Sequence, residues 1–425
     1  MKGFQNRWVL VTCVLILAWI VAFPLAYAAP AKLEVVWMGW PKNLVGQLID
    51  DFEKQHPDIK VDIQLIPFGQ LFQTLEVRLQ SGGKPDVYIV DGPLTASYAA
   101  RGYLLPMDRY FKKTELKNWL QASLQAATYR GKLYTIPYTT SSVGLYYNKD
   151  IFKKYGVPLP SSRPNERLTW EQVAEIAKKL TVDENKDGQI DIWGLIIEQI
   201  DRPYQLLPLA HSKGAKAISP NGLKTKGYIT SPKFVEAATF YWKLFNEWKV
   251  SPQGLNDSAK SREYFGNGNA AMMLGAEWNI NRLATFKGLN FGLTPHPYFK
   301  GGKAVTPTGS WHVGVNAKTA NKDAAVTFVK YITGPDAEAK WFKLFGHAPA
   351  RADVYGEMEE FNNPMWQLLF DELKNTAVVR PVTPGYLEYE LILRESFNSI
   401  HYGASPRQTL ENAANRIDRE LSKYR

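Results

Sequence analysis

Residues 134–150, YTIPYTTSSVGLYYNKD, decide the fold. The stretch opens as an apolar and aromatic strand and meets Pro137. It continues through Thr139, Thr140, Ser141 and Ser142, then resumes as a second strand over Val143 to Tyr147. Proline removes a ladder donor, and short hydroxyl residues bury little while offering hydrogen bonds. A strand that breaks and restarts in this way has two readings. One is a bulged hairpin inside a single sheet; the other is a crossing between two lobes, with hydroxyls facing a cleft. The flanking sequence decides between them.

Upstream, Lys32 to Trp37 is a β-branched strand that Gly39-Trp40-Pro41 breaks. Asn43 is the expected cap of a helix over 44–55, with Leu44, Val45, Leu48, Ile49 and Phe52 on one face. Ile59 to Leu65 alternates as a half-buried strand, and a second helix over about 70–80 ends at Gly82-Gly83. A third strand, from Pro85, closes on Asp91. This β-α-β-α-β order predicts an α/β fold with an open, mostly parallel sheet. Ligands of such sheets sit beyond the carboxyl ends of strands. Trp40 follows the first strand, and Asp91 and Gly92 follow the third, so both point to one crevice.

Downstream, Thr169 caps a helix over 170–180, and a helix over about 233–249 buries Phe234, Tyr241, Leu244 and Phe245. Ala270 to Leu274 is a short buried strand leading to Glu277-Trp278. Thr306 to Asn316 is a second broken strand. A helical region over 322–345 is interrupted at Gly334-Pro335, and three helices close the chain.

At 425 residues the chain exceeds one ordinary core, so two lobes are expected. Hydrophobic residues at 45% and charged residues at 22% describe a globular chain, not a disordered one. Aromatics at 13% call for either large cores or a surface that stacks against sugar rings. Lys2 and Arg7 precede an apolar run from Trp8 to Phe23, and Ala26-Tyr27-Ala28 is an A-x-A cleavage site. Residues 1–28 therefore read as an export signal, with an uncleaved anchor as the alternative. Cys13 is the only cysteine, so the processed chain has no disulfide and no thiol chemistry. Without Lys2 and Arg7, 49 basic residues face 41 acids, a net of +8 spread without a basic stripe. Nucleic-acid binding is not expected of such a surface.

Several enzymatic readings fail on motif. Gly266 to Ala271 imitates a dinucleotide fingerprint but lies between a helix and a strand, the wrong context. There is no Walker A sequence, no G-x-S-x-G and no H-x-x-H among the six histidines. No pair of carboxylates is singled out for glycoside hydrolysis. Asp183, Asn185, Asp187 and Asp191 stand at positions 1, 3, 5 and 9 of an EF-hand-like loop, with Gly188 at position 6. Position 12, normally Glu, is Gly194. The loop reads first as an Asn/Asp/Gly turn and second as a weak calcium site; no other cofactor is expected.

Phe52-Glu53-Lys54-Gln55-His56-Pro57-Asp58-Ile59-Lys60-Val61 resembles the first helix-strand junction of the extracellular solute-binding proteins of ABC sugar importers, family 1, the maltose/oligosaccharide-binding type. Pro85-Asp86-Val87, Gly131 to Pro137, Leu145 to Phe152, Thr169 to Gln172 and Phe265 to Met273 resemble later segments of that family in consistent order. The resemblance implies a type II periplasmic-binding-protein-like fold of two α/β lobes around a cleft. It implies crossings near 139–142, 308–310 and 348–351, with 29–139 plus 311–348 as one lobe and 140–310 plus 349–425 as the other. It also implies a monomer, exported to the periplasm or cell exterior, that binds a mono- or oligosaccharide and delivers it to ABC permease transmembrane subunits without catalysis. An exported hydrolase or lyase, and the binding module of a chemosensor, are the alternatives.

The expected ligand contacts are Trp40, Trp278 and Trp311 as stacking faces, Asp91 with Gly92 as a hydroxyl acceptor, and Tyr138, Thr140 and Ser310 at the strand breaks. Arg351 joins them through a Pro-Ala-Arg turn, and Glu277 is a weaker candidate. Each has a plain alternative: core packing for the tryptophans, an Asx turn for Asp91 and a surface ion pair for Arg351.

Overall fold

The computed structural model describes residues 29–425 apart from Gly83 and Asp201, and leaves the Ser310 side chain undescribed. The export signal and its cleavage site lie outside the described residues. Nine strands build two sheets. The first contains β1 (Ala31–Met38), β2 (Ile59–Ile66), β3 (Val87–Asp91), β4 (Thr135–Ser141) and a late strand, Gly309–Val315, in the order β2-β1-β3-late-β4. β1 pairs in parallel with β2 and β3, whereas the late strand runs antiparallel to β3 and β4. The second sheet contains β5 (Val143–Asn148), β6 (Ile196–Ile197), β7 (Met272–Ala276) and β8 (Phe291–Thr294), in the order β8-β5-β7-β6. The late strand is then β9. The chain leaves the first sheet at Ser141 and enters the second at Val143, so the quoted stretch crosses between sheets.

Helix α1 (Lys42–Gln55) follows β1 and buries Val45, Leu48, Ile49 and Phe52. Each such side chain contributes about 1.5–3 kcal/mol when fully buried. The helix starts one residue before Asn43, behind Pro41, with no side-chain cap, so Asn43 is not the cap. Proline here supplies the fixed φ that the sequence reading assigned to a capping side chain. Helix α2 (Phe68–Gln80) precedes β3, and α3 (Leu94–Ala100) follows it. In the second half, α4 (Pro203–Ser212) and α5 (Pro232–Asn246) pack on each other, and α6 (Pro335–Phe345) returns to α1 of the first half. Thr169 and Gln172 do form a reciprocal capping box at the helix that begins at Trp170.

The chain passes three times close to Ser142. Residues 348–351 run beside β4: the Thr140 amide donates to the Ala348 carbonyl at 2.8 Å, and Thr139 bridges Pro349. Thr306–Pro307 pairs with Ala377–Val378 just before β9 begins. The closing hairpin, α7 (Tyr386–His401) and α8 (Pro406–Leu421), packs on α4 and α5 but also on α3. Arg101, beyond α3, donates to the Tyr424 hydroxyl at 3.2 Å and lies 3.8 Å from Glu388. The terminal hairpin thus touches elements of both halves of the chain.

Candidate functional site

A cavity of about 330 Å³ opens between the two sheets. From the first sheet come Trp40, just beyond β1, Asp91 at the end of β3, and Trp311 on β9. From the second side come Gln199 and Arg202 after β6, Tyr204 on α4, and Trp278 after β7. Thr140, Ser141 and Gly309 form its floor at the crossings. The walls thus meet where strands end, as the topology requires of an open α/β sheet.

The tryptophans are half-buried, each presenting part of an indole to the cavity. Trp40 meets Trp311 edge-on at 6.3 Å and is itself braced by Trp341 at 4.7 Å. Trp311 lies parallel to Phe72 at 6.3 Å and edge-on to Phe68 at 6.1 Å. A bulge between Trp311 and His312 shifts the β9–β4 register there. Bulges of this kind re-aim a side chain. Rigid aromatic faces that remain partly wet suit the C–H face of a sugar ring.

Polar groups are organised in pairs. Arg380, in the loop between Ala377–Val378 and α7, holds both carboxylate oxygens of Asp91, Nη1 donating to Oδ2 at 2.9 Å and Nη2 to Oδ1. Burial alone would lower the Arg380 pKa; the facing Asp91 carboxylate outweighs it, and the net is upward. Arg202 lies 3.2 Å from Glu390 and is likewise held upward by Glu390 and Asp91 against the opposing effect of burial. Gln199 stands at φ +52° and accepts from the Tyr204 hydroxyl at 3.3 Å. A non-glycine residue in that region is a strained position of the kind binding sites retain.

Behind Trp278 lies Glu198, fully buried at the end of β6. Its Oε1 accepts from the Trp278 indole at 2.9 Å and from the Ser258 hydroxyl; its Oε2 accepts from Asn279 at 2.7 Å and the Ala276 amide at 3.1 Å. Four donors fix the carboxyl, and the carboxyl fixes the indole. Glu277, also fully buried, accepts from the Ser142 amide at 3.1 Å and stands 3.9 Å from His347 Nδ1. Burial pushes the Glu277 carboxyl well up and the His347 imidazole down to about 4, so each leans toward its neutral form. Glu277 thus secures the crossing from beneath and does not line the cavity.

Of the expected contacts, Trp40, Asp91, Thr140, Trp278 and Trp311 line one cavity. Ser310 pairs through its backbone with Thr140, and its side chain lies outside the described residues. Three expectations are corrected. Tyr138 is fully buried, its ring 5.1 Å from Trp37 and 5.3 Å from Trp341. It is the residue the register skips, Trp311 facing Thr139 and His312 facing Pro137, so strand alternation fails there and its ring enters the core. Gly92 is buried under α3, its carbonyl accepting from the Thr95 amide at 3.0 Å. Arg351 is committed to Asp353, with Nε donating to Oδ1 at 3.0 Å, and lies 4.4 Å over the Trp119 ring, away from the cavity. Arg380, Arg202, Gln199 and Glu198 had no local sequence signal.

In the 183–191 loop the oxygens serve the loop itself. Asp183 accepts from the Asp187 and Gly188 amides at 3.2 and 2.8 Å, and Asp191 accepts from the Glu184 amide at 2.8 Å. Among the described residues no three carboxylate, histidine or cysteine side chains gather to hold a metal ion. A side chain at Gly194 would meet the Ala177 carbonyl oxygen at 2.0 Å, so the twelfth EF-hand ligand has no room.

Comparison with known proteins agrees with this architecture. The profile of the family described as bacterial extracellular solute-binding protein matches residues 42–339. A maltotriose-binding protein of Pyrococcus abyssi is 25% identical over 340 residues, 78% of this chain and 69% of the relative. An ABC substrate-binding protein of Listeria monocytogenes, solved in complex with cycloalternan, superposes with a TM-score of 0.79 at 23% identity. The superposition covers 92% of this chain and 99% of that one. The GacH receptor of Streptomyces glaucescens, solved unliganded and with acarbose, gives a TM-score of 0.78 at 23% identity over 93% and 100% of the two chains. Among the described residues no helix is long and apolar enough to cross a membrane.

Proposed function

The chain belongs to the bacterial extracellular solute-binding proteins, and on that premise we propose that it captures a sugar or oligosaccharide for an ABC importer. The observation that carries this reading is the placement of Trp40 and Trp311 on one wall of the cleft and Trp278 on the other. Aromatic faces on opposite walls can sandwich a pyranose ring, and the paired polar groups between them can bond its hydroxyls. The maltotriose-binding relative and the oligosaccharide complexes of the structural neighbours support the same ligand class.

The lobes are taken as 29–139 with 311–348 against 140–310 with most of the remainder, the terminal hairpin touching both. Ligand binds the open cleft, and the lobes close on it by bending at the crossings around Ser142. Ligand shifts that balance only by its differential affinity for the closed form. A Kd of ~1 μM corresponds to about −8 kcal/mol, part of which drives closure. The closed protein, a monomer outside the cytoplasmic membrane, then docks on permease subunits. It carries out no reaction; Asp91, the one carboxylate facing the cavity among the described residues, is committed to Arg380 and is unsuited to act as a base.

The test is a thermal-shift and calorimetric screen of the processed protein against a panel of neutral and acidic oligosaccharides, with product analysis after prolonged incubation. Saturable binding with the sugar recovered intact supports the reading. Steady release of shortened products would replace it with a hydrolase or lyase.

A further inference from the structure

Among the described residues three arginines line the cavity, Arg202, Arg282 and Arg380, against one carboxylate, Asp91. Two are neutralised. Arg380 is matched by Asp91, and Arg202 by Glu390, which approaches from α7. Arg282, on the short helix Asn279–Leu283, is exposed, lines the cavity, and its guanidinium makes no hydrogen bond or ion pair among the described residues. Its surroundings disfavour its charge: partial burial and then the nearby Arg262 hold its pKa below the ordinary value, against weaker opposing pulls from Glu198 and Glu277. Arg202 and Arg380 move the other way because acids face them. The contrast isolates one guanidinium that lacks a counter-charge.

Among the described residues nothing in the cleft supplies it. Glu198 is saturated by its four donors, and Arg262 already stands 4.0 Å from it. Burial drives Glu277 toward its neutral form. Arg202 adds a second demand, since its Nε–H is buried and has no acceptor. A group that only accepts hydrogen bonds and carries charge satisfies both; carboxylates and phosphates do so, often bidentately.

We infer that the cleft is specific for an acidic carbohydrate, a sugar or short oligosaccharide bearing a carboxylate or phosphate that Arg282 meets while the tryptophans hold the ring. This rests on the proposed carbohydrate-binding function and names the ligand class within it. The indoles of Trp278 and Trp40 read the apolar faces, and the uncompensated guanidinium reads the charge.

Titration calorimetry on the processed protein tests it with two matched sets. One sets oligogalacturonates of two to four units against the corresponding galactose oligomers; the other sets maltotriose 6-phosphate against maltotriose. An acidic member should bind about tenfold or more tighter than its neutral twin, an advantage of roughly 1.4 kcal/mol. The advantage should shrink as ionic strength rises. Arg282→Gln should bring the acidic member down to the affinity of its twin while leaving the melting temperature unchanged. The two sets separate carboxylate from phosphate. Neutral members binding as tightly as acidic ones would overturn the acidic specificity and leave carbohydrate binding standing. Binding by no member of either set overturns both.

Discussion

Arg380 grips Asp91 through two parallel hydrogen bonds, and both residues are buried, 7% exposed each. The pair links the end of β3 to a loop 289 residues later. Its worth lies less in attraction than in the cost of breaking it, because removing one member strands the other charge away from water. Arg380→Met should therefore destabilise the fold by about 3–5 kcal/mol. The double variant Arg380→Met with Asp91→Asn should recover much of that loss. Urea unfolding of the two single variants and the double one measures the coupling; additive losses would mean that the two groups do not depend on each other.

Glu198 and Trp278 divide labour in a way mutation can separate. Trp278→Ala removes a cleft face and should weaken sugar binding while moving the melting temperature little, since the indole is only half-buried. Glu198→Gln should do the reverse first. An amide nitrogen in place of Oε2 cannot accept from Asn279 and Ala276, which leaves buried donors unmatched. A loss of about 1–3 kcal/mol per stranded group is expected. Affinity should then fall in step with a red-shifted, broader tryptophan emission as the indole loses its anchor. Unaltered emission would remove Glu198 as the residue that positions Trp278.

The buried histidines make stability depend on pH in a definite direction. Burial holds His312 down to about 3, with Arg380 adding to the effect, while an unfolded imidazole titrates near 6.5. Between those values the unfolded chain binds the extra proton and the folded chain does not. Stability from this group is thus fully present above pH 6.5 and is lost as pH falls toward 3. His296 behaves alike, and Glu277 and Glu338, pushed up by burial, act in the opposite direction as pH rises above the ordinary carboxyl range. A difference between variants isolates one group from these opposing effects. The stability gap between the native protein and His312→Asn should shrink by about 1.4 kcal/mol per pH unit between pH 6 and 4. A gap constant across that interval would show that His312 titrates normally.

Much of this arrangement was legible from pattern alone, for physical reasons that also mark the limit. Alternation in 59–65 and one apolar face over 44–55 exposed β2 and α1, because burial on one side leaves a period of 2 or 3.6 in the sequence. Strand ends carried Trp40, Asp91 and Trp278 to one crevice because open α/β sheets place sites there. Tyr138 failed because a bulge breaks the alternation that would have set it beside Thr140. Asp91 was legible as an acid at the cleft, yet its partner was not. Arg380 comes from a loop that tertiary packing alone brings near, and no local spacing records it. The same holds for Glu198, which reads in sequence as one more acid after two isoleucines.

Gly194 fixes how the 183–191 loop meets its helix. A Cβ there would run into the Ala177 backbone, 2.0 Å from its carbonyl oxygen, and backbone cannot swing aside as a flexible side chain can. Gly194→Ala should cost more than the common 1–3 kcal/mol of overpacking, read as a lowered melting midpoint. With the twelfth position closed and the loop carboxyls bonded to loop amides, adding calcium or a chelator should leave that midpoint where it was. A calcium-dependent rise would return the loop to the list of metal sites, with Asp183, Asn185, Asp187 and Asp191 as ligands.

Phe68 offers the most direct reading of closure. It opens α2, lines the cavity from the first wall and is 43% exposed. Arg202, from the opposite wall, stands 5.7 Å from its ring. A cation over an aromatic face contributes about 0.5–1 kcal/mol where water still reaches it and more once the cleft is dry. The contact spans the two walls, so it exists only when they are close, and it strengthens as ligand expels water. Phe68→Ala should therefore weaken binding by several-fold to about tenfold while lowering the melting temperature of the ligand-free protein only slightly. Scattering in the presence of saturating sugar should show a compact native protein and a less compact variant. Equal compaction of the two would place closure elsewhere, at the crossings alone, and reduce Phe68 to a passive wall residue beside Trp311.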